Sequence, residues 1–339
     1  MNITCLCTTE TGLLTIKLAL NLGVKIKSVI GLNPKSINNY DKVSGFVDIS
    51  FFCKKNKLDY KYVNDYSLKS ISPDSILNKT DIIWVVSWQR LLPSSFVNFP
   101  DIATLGSHGS CDGILKGRGR SPQNWALLMG KKTFKISIFK ITEGVDSGDI
   151  VLTKKFKYNC YDNIFNSYIK AAICTAKSVY EIVSNPILIK NAKMQKGKPE
   201  YFPKRIPEDG FIDWRMSAID IFNQIKSLSK PYPNARSIIN GQIILINKAS
   251  FIEESFEERY GKIIDKFDNG HIIVSCGKGS LIIEEYHIKN DKLLLPGLSF
   301  KSVSMKKTIR KILKRFKKDF HNKNINSSLL SFWLERNLI

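Results

Sequence analysis

One stretch of this 339-residue chain, Leu105–Ile150, concentrates side chains that could do chemistry. His108 lies at the predicted end of a strand, and Asp146 lies in the glycine-flanked run Glu143–Ile150. A histidine exchanges protons near neutral pH, and an ionised carboxylate beside it favours the imidazolium. The pair therefore indicates general acid–base chemistry.

An amine that attacks a carbonyl carbon creates negative charge on the carbonyl oxygen, and prearranged hydrogen-bond donors stabilise that charge. A protonated His108 is the first predicted donor. Ser107, Asn124 or a backbone N–H near Gly106 is predicted to supply the second. Loss of one such donor typically costs about 2.7–4 kcal/mol of transition-state stabilisation.

The glycine- and arginine-containing run Lys116–Pro122 precedes a predicted helix. Arg118 and Arg120 in this run present forks of donors that suit a substrate phosphate or carboxylate, although a solvated surface would also explain them. The turn after the first strand, 8–12, has neither a G-x-G-x-x-G motif nor a P-loop, which argues against a dinucleotide site.

The seven cysteines are scattered, and no spaced Cys/His cluster predicts a metal site. We predict buried free thiols and, from them, a reducing cytoplasm. No apolar run of about 18 residues predicts a transmembrane helix, and residues 1–23 do not resemble a signal peptide. With 43% hydrophobic residues, the chain is too apolar to be disordered.

Strands and helices alternate in the first half of the chain, which predicts an α/β fold with an open, mostly parallel sheet. Asp81–Ser87 is a continuous apolar run, as expected for a strand buried on both faces. The other predicted strands are Ile3–Thr9, Val24–Leu32, Phe134–Ile141 and Asp149–Tyr158. The predicted helices are Thr11–Leu22, Asp48–Asn56, Ser121–Met129 and Tyr161–Val183. Ligands of such sheets bind beyond the carboxyl ends of the strands, where His108 is placed.

The second half has a different pattern, with a helix at Ser217–Leu228 followed by short β-like runs. These runs are Ile238–Asn247, Tyr260–Lys266, His271–Cys276 and Ser280–Ile288. Asn-Gly at 240–241 and 269–270 predicts hairpins, and the spacing predicts a small barrel. We expect a catalytic domain over 1–190, a linker over 191–205, a β-barrel (OB-like) domain over 206–298 and a basic helical tail over 299–339.

The first half resembles the catalytic domain of the 10-formyltetrahydrofolate-dependent formyltransferases, which act on glycinamide ribonucleotide, methionyl-tRNA or amino sugars. The matching residues are His108, Arg118-Gly119, Pro122, Trp125-Ala126, and Gly144-x-Asp146-x-Gly148-Asp149-Ile150. A second block, Tyr201–Trp214 together with Pro231–Ala235, resembles the start of the family's C-terminal domain. The resemblance spans about residues 1–300.

The resemblance implies a Rossmann-like fold, His108 and Asp146 as catalytic residues, and 10-formyltetrahydrofolate as co-substrate without a metal. It also implies a folate pocket. Its predicted residues are Ser87, Trp88, Leu92, Gly144 and Val145. Two departures are notable. Gly106 stands where the family has an asparagine, and the loop from His108 to Arg118 is about two residues longer, with Gly109 and Gly113 in place of prolines.

The favoured function is N-formylation of a primary amine, and the favoured amine is that of a nucleotide-linked amino sugar. Loop 33–44 supports this branch, since it lacks the long basic insertion of the tRNA enzymes. The alternatives are a methionyl-tRNA formyltransferase, and a protein whose catalysis is lost or altered because of Gly106. The substrate, the nucleotide and the oligomeric state, including a homodimer, stay open.

The formal net charge is +22, which invites a polyanionic partner. Residues 301–323 carry ten Lys/Arg and one Asp, hence +9 of that charge. Within them, Met305–Phe320 predicts a basic amphipathic helix that lies on a membrane surface, on RNA, on an acidic partner, or against its own protein.

Overall fold

The computed structural model describes residues 1–35, 43, 45–256 and 259–339. Most of loop 33–44 lies outside the described residues. The strands are β1 (Ile3–Cys7), β2 (Ile26–Leu32), β3 (Asp59–Val63), β4 (Ile82–Val86), β5 (Ala103–Ser110), β6 (Arg118–Gly119), β7 (Thr133–Lys140), β8 (Ile150–Lys157), β9 (Glu200–Phe202), β10 (Ala235–Ile239), β11 (Gln242–Ile252), β12 (Ile263–Lys266), β13 (Ile272–Ser275), β14 (Ser280–His287) and β15 (Asn324–Ile325). The helices are α1 (Glu10–Asn21), α2 (Ser50–Lys55), α3 (Pro73–Ile76), α4 (Ser94–Val97), α5 (Pro122–Leu128), α6 (Ile164–Ser184), α7 (Ile187–Lys190), α8 (Ala218–Leu228), α9 (Met305–Asp319) and α10 (Ser327–Glu335).

The N-terminal half forms a seven-stranded sheet in the order β3-β2-β1-β4-β5-β7-β8. The first five strands in this order are parallel, and β7 and β8 are antiparallel to their neighbours. The predicted Rossmann-like, mostly parallel sheet is therefore confirmed. Helices α1, α5 and α6 cover one face, while α3 and α4 help to cover the other.

Local sequence explains where the helices of this half begin. The Thr9 side chain accepts a hydrogen bond from the Gly12 amide and caps α1, and Asn163 caps α6 in the same way through Asn166. The 21 residues of α6 then bury one side against the sheet and α1. These caps fix the ends of the two longest helices of the N-terminal half.

The C-terminal unit is a five-stranded antiparallel sheet in the order β10-β11-β14-β13-β12. Asn240-Gly241 and Asn269-Gly270 form the two predicted hairpin turns. The first predicted run, 238–247, includes one of these turns and so is two strands rather than one. The segment 298–301 bonds to both edge strands, since Lys301 N donates to Ile238 O and Ile263 N donates to Leu298 O. This double pairing closes the sheet into the predicted small barrel.

The predicted tail is part of the main core. Its helix α9 buries Ile309, Ile312 and Phe316, and α10 buries Phe332 and Trp333. Trp333 meets Trp125 of α5 edge-on at a centroid distance of 5.9 Å. The apolar face of α9 is therefore used within the protein, and its lysines face solvent.

All seven cysteines are free, and Cys160 is exposed while the other six are buried. Burial raises the pKa of the Cys7 thiol to about 12, so this thiol stays protonated and unreactive. Among the described residues, no helix is long and apolar enough to cross a membrane.

Candidate active site

A cavity of about 580 Å³ opens where β4 and β5 separate at their carboxyl ends. The two strands pair only from Ile82–Trp84 to Ala103–Leu105, so the residues that follow them diverge. Val85 and Ser87 line one side of the gap, and Gly106–His108 line the other. This is the position at which open α/β sheets bind ligands, and the volume lies within the usual range for small-molecule sites.

His108 and Asp146 lie together in the wall of this cavity. The His108 Nδ1 atom is 3.3 Å from Asp146 Oδ2, and the two side chains are only 12% and 23% exposed. The opposite ring nitrogen, Nε2, is 2.7 Å from the backbone oxygen of Gly117. Both ring nitrogens thus face oxygen atoms, an arrangement that fixes the plane of the imidazole.

Asp146 itself has a left-handed backbone, with φ of 50°. This conformation is uncommon outside glycine, although aspartate tolerates it better than most residues. It lies in the loop between β7 and β8, and strained residues of this kind persist where the surrounding structure holds them. Here the strain aims the carboxylate at the imidazole.

The pairing of β5 with β7 decides which groups of β5 face the cavity. Ile141 N donates to Thr104 O, so these two residues form a hydrogen-bonded pair of the antiparallel strands. Along such strands, hydrogen-bonded pairs alternate with non-hydrogen-bonded pairs. The backbone N–H and C=O groups of Gly106 and His108 consequently point toward β7, while those of Ser107 point toward β4. Because β4 has already diverged, the Ser107 N–H is directed into the cavity edge. Its side chain lies on the sheet face opposite to His108.

The asparagine that the resemblance would place at Gly106 would crowd two neighbouring side chains. A Cβ on Gly106 would lie 3.0 Å from Ile141 Cδ1 and 3.2 Å from Phe139 Cζ. These two apolar side chains occupy the space beside His108 that a side-chain amide would need. An asparagine donor is therefore replaced by an apolar wall.

Two predicted site residues do not line the cavity. Asn124 is completely buried, and its amide donates to the backbone oxygen of Ser227, so it is not positioned as an oxyanion donor. Arg118 is 8% exposed and donates to Gln195 Oε1 at 3.0 Å, so the predicted substrate contact is replaced by a structural one. Arg120 is exposed and does line the cavity.

The five residues predicted for the folate pocket all line this cavity, namely Ser87, Trp88, Leu92, Gly144 and Val145. Leu91 and Val145 give it an exposed apolar rim. The buried indole N–H of Trp88 has no hydrogen-bond acceptor among the described residues. An apolar rim with an unpaired donor suits a flat, polar-edged ring such as a pterin.

The sequence placed Gln195 in a predicted linker and did not predict its contacts with the site. Its amide donates to the backbone oxygens of Asp146 and Gly148 at 2.9 and 2.8 Å, and its carbonyl accepts from Arg118. Gln195 thereby ties the Asp146 loop to the loop that follows His108. A lone glutamine among lysines carries no sequence signal for such a contact.

The fold and the site define a two-part α/β protein with an acid–base pair at the carboxyl end of a Rossmann-like sheet. The family model described as "Formyl transferase" matches residues 17–164, and that described as "Formyl transferase, C-terminal domain" matches residues 205–300. The chain belongs to the formyltransferase family.

Similar proteins come from more than one branch of that family. The bifunctional polymyxin resistance protein ArnA of Wigglesworthia glossinidia brevipalpis is 28% identical over 345 residues, which cover 95% of this chain and 50% of that protein. A methionyl-tRNA formyltransferase of Pelotomaculum thermopropionicum is 28% identical over 68% of this chain and 71% of its own. The chain thus spans only half the length of the first of these relatives.

Among solved structures, the N-formyltransferase from Helicobacter canadensis in complex with folinic acid and dTDP-3-aminofucose has a similar fold. The TM-score is 0.57 at 16% identity, and the match covers 84% of this chain and 99% of that one. This likeness supports the shared fold of both units.

Proposed function

We propose that the protein is an N-formyltransferase that moves a formyl group from 10-formyltetrahydrofolate to a primary amine. The observation that carries the proposal is the His108–Asp146 pair, 3.3 Å apart, in the wall of a 580 Å³ cavity. Family membership supports the reaction class, and the folinic acid held by the Helicobacter canadensis structure supports a folate in this cavity.

The reaction joins the amine nitrogen to the formyl carbon and breaks the bond between that carbon and N10 of the folate. In the tetrahedral intermediate the formyl oxygen carries negative charge, and the Ser107 N–H donates to it. Because the two ring nitrogens of His108 face Asp146 and Gly117 O, the imidazolium stabilises this oxygen through its positive charge rather than as the predicted hydrogen-bond donor. Asp146 holds the imidazole and accepts the proton that the amine loses. N10 takes up that proton as it leaves, so the products are the formamide and tetrahydrofolate.

The amine is proposed to be that of a nucleotide-linked amino sugar. Arg120 is exposed at the cavity and offers a guanidinium fork for a phosphate of the nucleotide. The nucleotide-linked aminofucose held by the Helicobacter canadensis structure supports the same substrate class. Because such a substrate is small, the C-terminal tail over 299–339 does not need to contact the substrate.

Methionyl-tRNA is the second candidate, and two observations favour it. The relatives include methionyl-tRNA formyltransferases, and α9 presents a row of exposed basic residues to solvent. These are Lys306, Lys307, Arg310, Lys311, Lys314, Lys317 and Lys318. Such a row would bind RNA through its phosphates, with an affinity that falls steeply as salt is raised.

The first prediction concerns turnover. The wild-type protein is expected to release tetrahydrofolate from 10-formyltetrahydrofolate when nucleotide-linked amino sugars are supplied. His108→Ala and Asp146→Asn are expected to lower kcat by about 10²–10³-fold or more, since each loses transition-state stabilisation. Ser107→Ala keeps its backbone N–H, so it serves as the matched control with near wild-type kcat.

Wild-type rates in both the His108 and Asp146 variants would remove these residues from the mechanism. If the wild type formylates initiator methionyl-tRNA and none of the amino sugars, the tRNA alternative replaces the proposed substrate. Absence of turnover with every amine would favour a protein that keeps the fold without this catalysis.

A further inference from the structure

The loop that follows His108, residues 109–120, is here called the catalytic loop. It contains four glycines and no proline, so its own sequence does little to restrict its backbone. Even so, it holds the Gly117 carbonyl 2.7 Å from Nε2 of His108. Within the loop, Gly117 N donates to Ile114 O at 3.3 Å, and contacts from elsewhere in the chain add to the positioning of this carbonyl.

The C-terminal segment supplies these contacts through a small three-stranded sheet in the order β15-β9-β6. Strand β6 belongs to the catalytic loop, and β9 pairs with it through Arg118–Tyr201 and Gly119–Phe202. Strand β15 then pairs with β9 from the other side. Through β9, the catalytic loop is thus connected to β15, which lies more than 200 positions later in the chain.

Asn326, directly after β15, contacts the catalytic loop itself, at Lys116 and Asp112. Its Nδ2 atom donates to Lys116 O at 2.6 Å and to Asp112 Oδ2 at 2.9 Å. Its Oδ1 atom accepts from Leu329 N at 2.8 Å and so caps α10. The residue is completely buried, and its side-chain amide is fully used in these contacts.

We propose that Asn326 is a positioning residue for catalysis, which acts on His108 through the catalytic loop. Lys116 O and Gly117 O are carbonyls of adjacent residues, so a hydrogen bond that fixes the first also restricts the second. The second is the acceptor that orients the imidazole. The kinetic test of this proposal rests on the proposed function. The spectroscopic test does not need that function.

Three variants separate the loop contact from the helix cap. Asn326→Ala loses both. Asn326→Asp keeps the cap oxygen, but it cannot donate to Lys116 O and it repels Asp112. Asn163→Ala removes an asparagine cap of the same kind from α6 and leaves the catalytic loop untouched.

Both Asn326 variants are expected to lower kcat about tenfold, with little change in KM for the amine, since misplacement of a catalytic group chiefly affects the transition state. Asn163→Ala is expected to keep the wild-type kcat. In Asn326→Asp plus Asp112→Asn, the new amide can donate to the new carboxylate, but Lys116 O still lacks its donor, so kcat is expected to stay low. A return of kcat in this variant would assign the effect to the Asp112 contact instead. Melting temperatures identify variants whose loss of activity comes from unfolding.

Imidazole ¹H–¹⁵N correlation spectra give the readout that is independent of turnover. The His108 signals are assigned by their loss in His108→Ala. They are expected to shift in both Asn326 variants and in Asn326→Asp plus Asp112→Asn, and to stay unchanged in Asn163→Ala. Unchanged His108 signals and kcat in folded Asn326→Asp would overturn the proposal. An inactive wild type would count against the proposed function, while the spectra would still test Asn326.

Discussion

At the scale of single residues, the site depends on main-chain groups as much as on side chains. His108 is held between a carboxylate and a backbone carbonyl, and in the proposed mechanism the oxyanion donor is the Ser107 N–H. A main-chain donor needs no particular side chain. In that mechanism the site can dispense with a side-chain amide at Gly106.

The apolar wall at Gly106 gives a prediction about stability. Gly106→Asn must displace Ile141 and Phe139, so it is expected to lower the free energy of unfolding by about 1–3 kcal/mol. Ile141→Ala makes space, and Gly106→Asn should then cost less in that background than in the wild type. Chemical denaturation of the four proteins of this double-mutant cycle measures the difference. Equal costs in both backgrounds would show that Ile141 does not limit this position.

At the scale of elements, His108 and Asp146 belong to neighbouring segments, and hydrogen bonds from other parts of the chain hold these segments together. Gln195 binds the Asp146 loop and Arg118, while β9 and β15 hold the catalytic loop. The region 191–205, predicted as a linker, contains both Gln195 and β9 and also pairs Lys193 with Ile150. It is an ordered part of the site's support.

Gln195→Glu tests this support with an almost isosteric change. The carboxylate can still accept from Arg118, but it cannot donate to the carbonyls of Asp146 and Gly148. We expect a fall in kcat of about tenfold, because the Asp146 loop loses its hydrogen bonds. The neighbouring exposed change Lys196→Ala should leave kcat at the wild-type value. Steady-state kinetics with the amine that the wild type accepts will show whether the two variants differ in this way.

Periodicity and turn residues predicted most elements of both units, because their burial follows local patterns. The edge strand β3 was not predicted, although Asp59–Val63 alternates polar and apolar residues as half-buried strands do. Strand β5 carries glycine, serine and histidine at its functional end and so lacks an apolar run. Asn124 and Arg118 were placed in the site because they are polar residues near a motif. Only the fold shows that Asn124 donates to Ser227 and Arg118 donates to Gln195, both distant in the sequence.

At the scale of the whole molecule, the two units and the tail meet at a buried charged junction. Asp209 bonds to Arg315 of α9, and Arg336 beside α10 bonds to Asp220 of α8 at 2.9 Å. Arg205 lies over the Trp125 ring at 5.0 Å, and burial lowers its pKa to about 10. These ion pairs link segments from both units and from the tail, and a mispaired arrangement would leave the buried Asp209 without its partner.

Asp213 at this junction predicts a dependence of stability on pH. Burial alone would raise its pKa, but hydrogen bonds from Arg215 and the Met305 amide outweigh burial and lower the pKa below its usual value. The unfolded chain, with an aspartate pKa of about 3.9, therefore takes up this proton more readily than the folded protein. The stabilisation is present above about pH 4 and is lost as the pH falls through the lower, folded pKa.

Asp213→Asn should consequently reduce the melting temperature at pH 7 and flatten its decline between about pH 5 and 3. The exposed Asp268→Asn serves as control and should follow the wild-type curve. Melting curves at several pH values measure both slopes. An equally steep acid decline in the Asp213 variant would assign the acid sensitivity to other carboxyls.

The contact between Asn326 and Asp112 joins residues 214 positions apart, and this separation sets an order of events during synthesis. At about 5–20 residues per second, the ribosome needs roughly 10–40 s to make the intervening chain. During that time the nascent N-terminal sheet carries Trp125 without the Trp333 that covers it. The newly made chain therefore exposes an apolar surface that chaperones can bind. A ribosome that stalls before residue 326 leaves a catalytic loop that β9 already contacts and that Asn326 does not yet hold.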